Sequence, residues 1–380
     1  MSELKSANIR AGLTQRCAAL GIPVSGTFEL TPRCNLKCRM CYIRLSPAEM
    51  AAAGRELTAE EWLELGKQAR DAGMMFLLLT GGEPLLRPDF CRIYEGLTRL
   101  GLSISVNTNG SMITGQVREV WKKSPPSSVN ITLYGTGPED YEALCGNPKV
   151  FEAVTDNLSW LQEQHILVHL NTTIVPANYS RWKELEEFAE QRNLELRMTT
   201  YCFPPRRREA WTPCSEFSRL APEQAAKLTL QDILYREGSD ALKRRWSELQ
   251  EGSRSRCLLE NDSSMRCMAG KSMFWISWNG RMVPCGMLET GAAEPLAEGF
   301  EPAWETVKKE AEKIRLCPDC LSCPDRKTCF NCAAVEYSEN GTFGRKPEYM
   351  CRYSRAYRAE LDAAAARGFP DAMPEKSAEI

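Results

Sequence analysis

The sequence predicts an α/β protein in which six β/α units form a partial barrel, followed by a cysteine-rich C-terminal region. Three observations predict it. Short apolar runs alternate with helical segments over residues 58–201. Three cysteines, Cys34, Cys38 and Cys41, follow the first strand directly. Beyond Cys257 the chain turns cysteine-dense and loses its periodic pattern, as far as Cys351.

Length and composition leave room for this architecture. The chain has 380 residues, 43% of them hydrophobic, enough for a large domain and a smaller one. A formal net charge of −2 argues against a nucleic-acid binder that works by bulk electrostatics. The N-terminus MSELKSANIR lacks a signal-peptide core, and no run of apolar residues is long enough to span a membrane. The expected location is cytoplasmic, with no nucleic-acid or membrane partner. Seventeen cysteines in such a compartment point to metal binding, since disulfides are disfavoured there. The chain has only two histidines, His165 and His169, which removes most zinc-hydrolase and histidine-triad chemistry.

In order, residues 1–25 read as a short N-terminal helix and turn, and 27–30 as a strand stopped by Pro32. Thr58-Ala59-Glu60-Glu61 is a capping box that opens a helix to about residue 72. Residues 74–80 (MMFLLLT) are apolar throughout, as a buried parallel strand requires, and run into Gly81-Gly82-Glu83-Pro84. Helix 89–100, strand 102–107, the turn Thr108-Asn109-Gly110, helix 114–122 and strand 128–134 follow. Helices 138–144 and 151–164, strand 166–175, helix 180–192 and strand 194–201 complete the alternation. The expected domains are a barrel over 26–235, a linker helix over 236–256, the cysteine-rich domain over 257–355 and a C-terminal helix and tail over 356–380. A segment like 257–351 is expected to owe its stability to metal more than to a core.

The chemistry starts at Cys34-x3-Cys38-x2-Cys41. Three thiolates can hold three irons of a 4Fe–4S cube and leave the fourth open to another ligand. A structural zinc site is the competing reading, but it needs a fourth Cys or His close by, and none lies in the loop. Glycines at 81 and 82 let backbone approach a ligand closely, and Glu83 can accept from an ammonium group.

Together, the cysteine spacing, the Gly81-Gly82-Glu83-Pro84 turn and the six-unit barrel resemble the radical S-adenosylmethionine (SAM) superfamily. The resemblance implies that SAM chelates the open iron, and that an electron from the cluster cleaves SAM to a 5′-deoxyadenosyl radical that abstracts hydrogen. It implies SAM contacts from Gly81, Gly82, Glu83, Asn109 and Thr132. Relatives often carry an Arg after the fourth strand for the SAM carboxylate. Here Cys145-Gly146 stands there, and Lys149 or Arg197 is the substitute cation.

The C-terminal cysteines, Cys267-x12-Gly280-x4-Cys285, then Cys320-x2-Cys323-x5-Cys329-x2-Cys332 and Cys351, resemble a SPASM extension with two auxiliary 4Fe–4S clusters. The resemblance implies an outer cluster on Cys320, Cys323, Cys329 and Cys351. It implies an inner one on Cys267, Cys285 and Cys332, with Cys257 as fourth ligand or an open iron in its place. Cys317 is an extra cysteine whose spacing also serves, and a zinc ribbon is the competing reading. Cys17 and Cys91 read as core residues, and Cys145, Cys202 and Cys214 as loop residues. His165 and His169 read as surface or barrel-lining, Trp275 and Trp278 as packing around the inner cluster, and Arg206-Arg207-Arg208 as a solvated loop.

Relatives with both parts mostly modify peptides or proteins. Sulfatase maturases carry an Asp base after the cysteine of the Gly-x4-Cys element; here Gly286 follows Cys285. The resemblance therefore favours maturases of ribosomally made precursor peptides, which form thioether or carbon–carbon crosslinks, with flavodoxin or ferredoxin as reductant. The stretch before the barrel is expected to be too short for a winged-helix leader-binding module. A small-alcohol dehydrogenase is an alternative. A non-catalytic iron–sulfur carrier is another, although a carrier needs neither an open iron nor the glycine turn.

Overall fold

The computed structural model describes residues 3–205, 219–250, 263–326 and 328–369, and of residues 3–9 the backbone alone. The chain gathers into two compact units. The first holds residues up to Thr199 together with Cys267–Lys313.

Helix α1 spans Glu3–Leu20, far longer than the short helix expected, and leads into strand β1 (Ser25–Glu29). The cysteine loop and helix α2 (Pro47–Ala53) follow. The capping box forms as the sequence predicts. Thr58 Oγ1 accepts from Glu61 N–H (3.2 Å), Glu61 Oε2 accepts from Thr58 N–H (2.8 Å), and helix α3 (Ala59–Asp71) starts there. The alternation continues through β2 (Phe76–Thr80), α4 (Phe90–Arg99), β3 (Ser103–Thr108), α5 (Gly115–Lys123) and β4 (Ser128–Thr132). It ends with α6 (Pro138–Cys145), α7 (Val150–Glu163), β5 (Val168–Thr173), α8 (Trp182–Glu190) and β6 (Glu195–Thr199).

Strands β1 to β6 pair in sequence order and in parallel, each with its successor. That is the six-unit partial barrel read from the sequence. Period-2 alternation gives the sheet two distinct faces. One carries Phe28, Leu79, Val106, Ile131 and Leu170, all wholly buried. On the other, the register aligns Glu29, Thr80, Asn107, Asn130, His169 and Glu195 in one row across six strands. The neighbouring row holds Thr132, Asn171 and Arg197.

The sheet does not stop at β1. Strand β7 (Met273–Ile276) pairs with β1 in parallel, and β8 (Met282–Val283) returns antiparallel to β7. Helices α11 (Pro295–Glu298) and α12 (Phe300–Lys313) follow. Phe274, Phe300 and Trp304 are buried together, with the Phe274 and Phe300 rings 5.1 Å apart. The segment expected to owe its stability to metal more than to a core thus contains a stretch with a core of its own. Residues 273–313 share the barrel's sheet and its hydrophobic packing, and the compact units divide at 313/314, inside the expected cysteine-rich domain.

The second unit holds Thr200–Pro204, the described residues up to Arg266, and Ile314 onward. The chain between the barrel strands and the cysteine-rich region forms two helices, α9 (Pro222–Glu237) and α10 (Ser239–Gln250), broken at Gly238 with φ +76°, and α10 lies within the linker helix expected over 236–256. Helices α13 (Ala333–Asn340) and α14 (Glu348–Ala366) complete it. Tyr349 Oη donates to Leu220 O (3.0 Å) and Tyr353 Oη to Thr229 Oγ1 (2.9 Å), tying α14 to the segment around α9. Among the described residues no helix is long and apolar enough to cross a membrane.

Candidate active site and cysteine centres

The cysteine loop and the glycine turn are knitted together by backbone. Leu30 N–H donates to Thr80 O (2.9 Å), Gly82 N–H to Thr31 O (2.7 Å) and Glu83 N–H to Arg33 O (2.8 Å). The approach is so close that only glycine fits. A Cβ on Gly81 would lie 2.5 Å from Thr31 O, and one on Gly82 would lie 2.4 Å from Arg33 O. The loop that carries the cysteines therefore takes its position from the end of β2.

Glu83 is the buried centre of this arrangement, with no exposed surface. Its carboxylate accepts from Leu85 N–H (3.0 Å), Asn109 N–H (2.7 Å) and the Thr108 hydroxyl. The Thr108 hydroxyl reaches both oxygens, so every lone-pair region of this buried carboxylate has a donor near it. Burial pushes its pKa up to about 7 against the opposing pull of these donors.

Asn109 connects the turn after β3 to the first cysteine. Its Nδ2 donates to Asn35 Oδ1 (2.9 Å) and lies 3.8 Å from Cys34 Sγ. Ser111 closes the circuit, donating to Asn109 Oδ1 (2.6 Å) and accepting from Asn35 Nδ2 (2.9 Å). Asn35 and Ser111 were not evident as site residues from the sequence. The only signal is that one lies inside the cysteine motif and the other just after the Thr108-Asn109-Gly110 turn.

The three thiols are half-buried, and backbone N–H groups already point at two of them. Leu36 N lies 3.4 Å from Cys34 Sγ and Arg44 N lies 3.3 Å from Cys41 Sγ. Burial pushes Cys34 up to about 12 and raises Cys41, which is the cost of a buried thiolate that a ligated cation offsets. Cys38 goes the other way, because hydrogen bonds from Cys145 and then Tyr134 outweigh its burial. Cys145, expected in a loop, is the buried last residue of α6. Its carbonyl accepts from Lys37 N–H (3.0 Å), and Leu144 O accepts from Arg39 N–H (3.1 Å), so the end of α6 braces the cysteine loop.

Thr132 ends β4 on the polar face of the sheet. Neither substitute cation is drawn to the cysteine loop by a hydrogen bond. Arg197 Nη2 donates to Glu195 (2.9 Å) and lies 3.2 Å from His169 Nδ1, and Lys149 is exposed at the start of α7. His169 lines the polar face, and His165 is exposed in a left-handed turn with φ +55°. Trp275 Nε1 donates to Glu29 Oε2 (3.0 Å) and Trp278 is buried. Cys17, Cys91 and Cys202 are buried as well.

In the second unit, Cys317, Cys320, Cys323, Cys329 and Cys351 line one cavity of about 220 Å³. The buried carboxylate of Glu336 organises it. It accepts from Cys317 N–H (3.0 Å), Asn331 Nδ2 (2.7 Å) and Gly344 N–H (3.0 Å). Cys332 caps α13 in this unit, whereas Cys267 and Cys285 belong to the first. Cys257, Cys214 and Arg206 to Arg208 lie outside the described residues. Among the described residues no three Cys, His, Asp or Glu side chains converge in a way that would hold one metal ion. A cube spreads its thiolates over four separate irons, so five thiols around a cavity suit a cluster better than a single zinc.

Residues 28–189 match the model of the radical SAM superfamily. The AdoMet-dependent heme synthase of Methanosarcina barkeri is 24% identical over 340 residues, 86% of this chain and 95% of its own. The PqqA peptide cyclase of Streptomyces rochei is 32% identical over 128 residues, 34% of each chain. SuiB of Streptococcus suis, solved with S-adenosylmethionine and with the precursor peptide SuiA, shares the fold at a TM-score of 0.62. The match covers 90% of this chain and 79% of SuiB, at 17% and 16% identity.

Proposed function

Taking the chain as a radical SAM enzyme, its domain spanning residues 28–189, we propose that it modifies a ribosomally made precursor peptide by hydrogen abstraction followed by oxidative crosslinking. The observation that carries the chemistry is the junction just described: a three-thiol loop whose position is set by the Gly81-Gly82-Glu83 turn and by Asn109. That donor set fits a 4Fe–4S cube with one iron left for SAM. Bound together, the cube and SAM supply a 5′-deoxyadenosyl radical for abstracting hydrogen from an unactivated carbon.

The protein's own residues do the rest. Cys34, Cys38 and Cys41 hold the cube, and Asn109 and Cys145 orient Cys34 and Cys38. Gly81, Gly82, Glu83, Asn109 and Thr132 would border SAM, with Glu83 the carboxylate that an ammonium group calls for. The polar row Asn107, Asn130, His169 and Glu195 offers donors and acceptors of the kind a peptide backbone needs. Cys320, Cys323, Cys329 and Cys351 hold an outer auxiliary cube. For an inner cube the resemblance supplies Cys267, Cys285 and Cys332, with Cys257 as fourth ligand or an open iron in its place. Clusters in these cysteine sets would supply a place for the electron released when the substrate is oxidised, and a flavodoxin or ferredoxin would supply the electron that starts each turnover. The names of a PqqA peptide cyclase and of the SuiB–SuiA complex support the peptide.

A second reading rests on the heme synthase of Methanosarcina barkeri, which matches most of this chain and nearly all of its own. In that reading the substrate is a tetrapyrrole. Co-expression with a short peptide encoded beside the enzyme, followed by mass spectrometry, separates the two. Loss of two hydrogens from the peptide supports crosslinking. An unchanged peptide, with turnover of a tetrapyrrole panel, supports the second reading.

A further inference from the structure

The cavity of the second unit has one thiol more than a cube has irons. Cys317, Cys320, Cys323, Cys329 and Cys351 all line it. Cys317-x2-Cys320-x2-Cys323 also repeats the spacing with which ferredoxin-type cysteine runs begin. Cys317 sits at the head of the short 3-10 turn Pro318–Cys320, and Cys320 N–H donates to Cys317 O (3.0 Å). Side chains at i and i+3 of such a turn eclipse one another, so Cys317 and Cys320 stand side by side where they line the cavity. Cys351 reaches the cavity from helix α14 instead. The duplicated corner is therefore that of Cys320.

Cys317 is also placed as a ligand is placed. It is only 4% exposed, and its backbone N–H is held by the buried Glu336 carboxylate, so this end of the cavity wall is fixed by the protein's own hydrogen bonds.

We infer that Cys317 and Cys320 are interchangeable ligands of one iron of the cube proposed for this cavity, with Cys323, Cys329 and Cys351 holding the other three. In the exchange the iron–sulfur bond to Cys320 breaks and one to Cys317 forms. The Cys317 thiol proton passes to Cys320, and no electron moves. The inference rests on the reading that this cavity holds a 4Fe–4S cube.

The test is iron and sulfide content of the full-length chain, reconstituted anaerobically, with low-temperature EPR of the reduced protein. Cys317→Ala and Cys320→Ala each keep the parent's iron. The double variant loses about four irons per chain, as does Cys323→Ala. Loss of those irons in Cys320→Ala alone overturns the exchange and leaves the cube standing. Unchanged iron in both Cys323→Ala and Cys329→Ala removes the cube itself, and the inference with it.

Discussion

The Thr108 hydroxyl stands 2.8 and 2.9 Å from the two carboxylate oxygens of Glu83, joining the end of β3 to the turn after β2. Neither residue touches solvent to any extent. The pair fixes the turn that positions the cysteine loop, and it sets a pH dependence. Burial raises Glu83 to about 7 in the folded chain, above the ordinary glutamate value. The folded state therefore holds this proton where the unfolded state has lost it. Stability from this group is complete below about pH 4.3 and falls as the pH rises to about 7, by on the order of a few kcal/mol. Thermal melts of the metal-free protein across that window should show the fall, and Glu83→Gln should flatten it.

Gly82→Ala should be costly out of proportion to one methyl group. The new Cβ meets the Arg33 and Pro32 carbonyl oxygens at 2.4 and 2.7 Å, and neither is a flexible side chain. Expected are a loss of about 2–4 kcal/mol in chemical denaturation and weakened SAM binding by calorimetry. Gly115→Ala, where nothing lies within 4 Å, is the control.

Cys145 is a hydrogen-bond partner of Cys38, in the position where the family resemblance leads one to expect an Arg. Cys145→Ala should leave the iron of the first cluster in place. It should move the cluster's potential to more negative values by on the order of tens of mV, since hydrogen bonds to cluster sulfurs raise it. A redox titration followed by EPR reads both quantities.

Glu336 gathers three donors at the five-thiol cavity. Glu336→Gln turns an amide N–H₂ toward N–H groups and leaves buried donors unmet. The expected cost is about 2–4 kcal/mol, with faster loss of iron to a chelator. Glu339→Gln, in the same helix, should keep its iron.

The features legible in the sequence are those whose chemistry is local. The Thr58 box, the apolar run before Gly81 and the cysteine spacing each announce themselves within a few residues. Partners far apart in the chain do not. Met273–Ile276 is too short to read as a strand, and its pairing partner lies at Ser25–Phe28. Glu336 looks like a solvent-facing helical glutamate until the loops bearing Cys317 and Gly344 are folded over it. Cys145 reads as a loop residue because Gly146 follows it, yet that glycine is a left-handed helix cap and Cys145 ends the helix. Asn35 carries no signal apart from its neighbours, because its partners Asn109 and Ser111 arrive from the end of another strand.

The central claim is that Cys34, Cys38 and Cys41 carry the chemistry, and the direct measurement is 5′-deoxyadenosine formation by the Cys34→Ala, Cys38→Ala, Cys41→Ala variant. The reconstituted parent should hold about twelve irons and cleave SAM under a low-potential reductant. The variant should keep about eight irons and form no 5′-deoxyadenosine. SAM cleavage persisting in the variant would contradict the account.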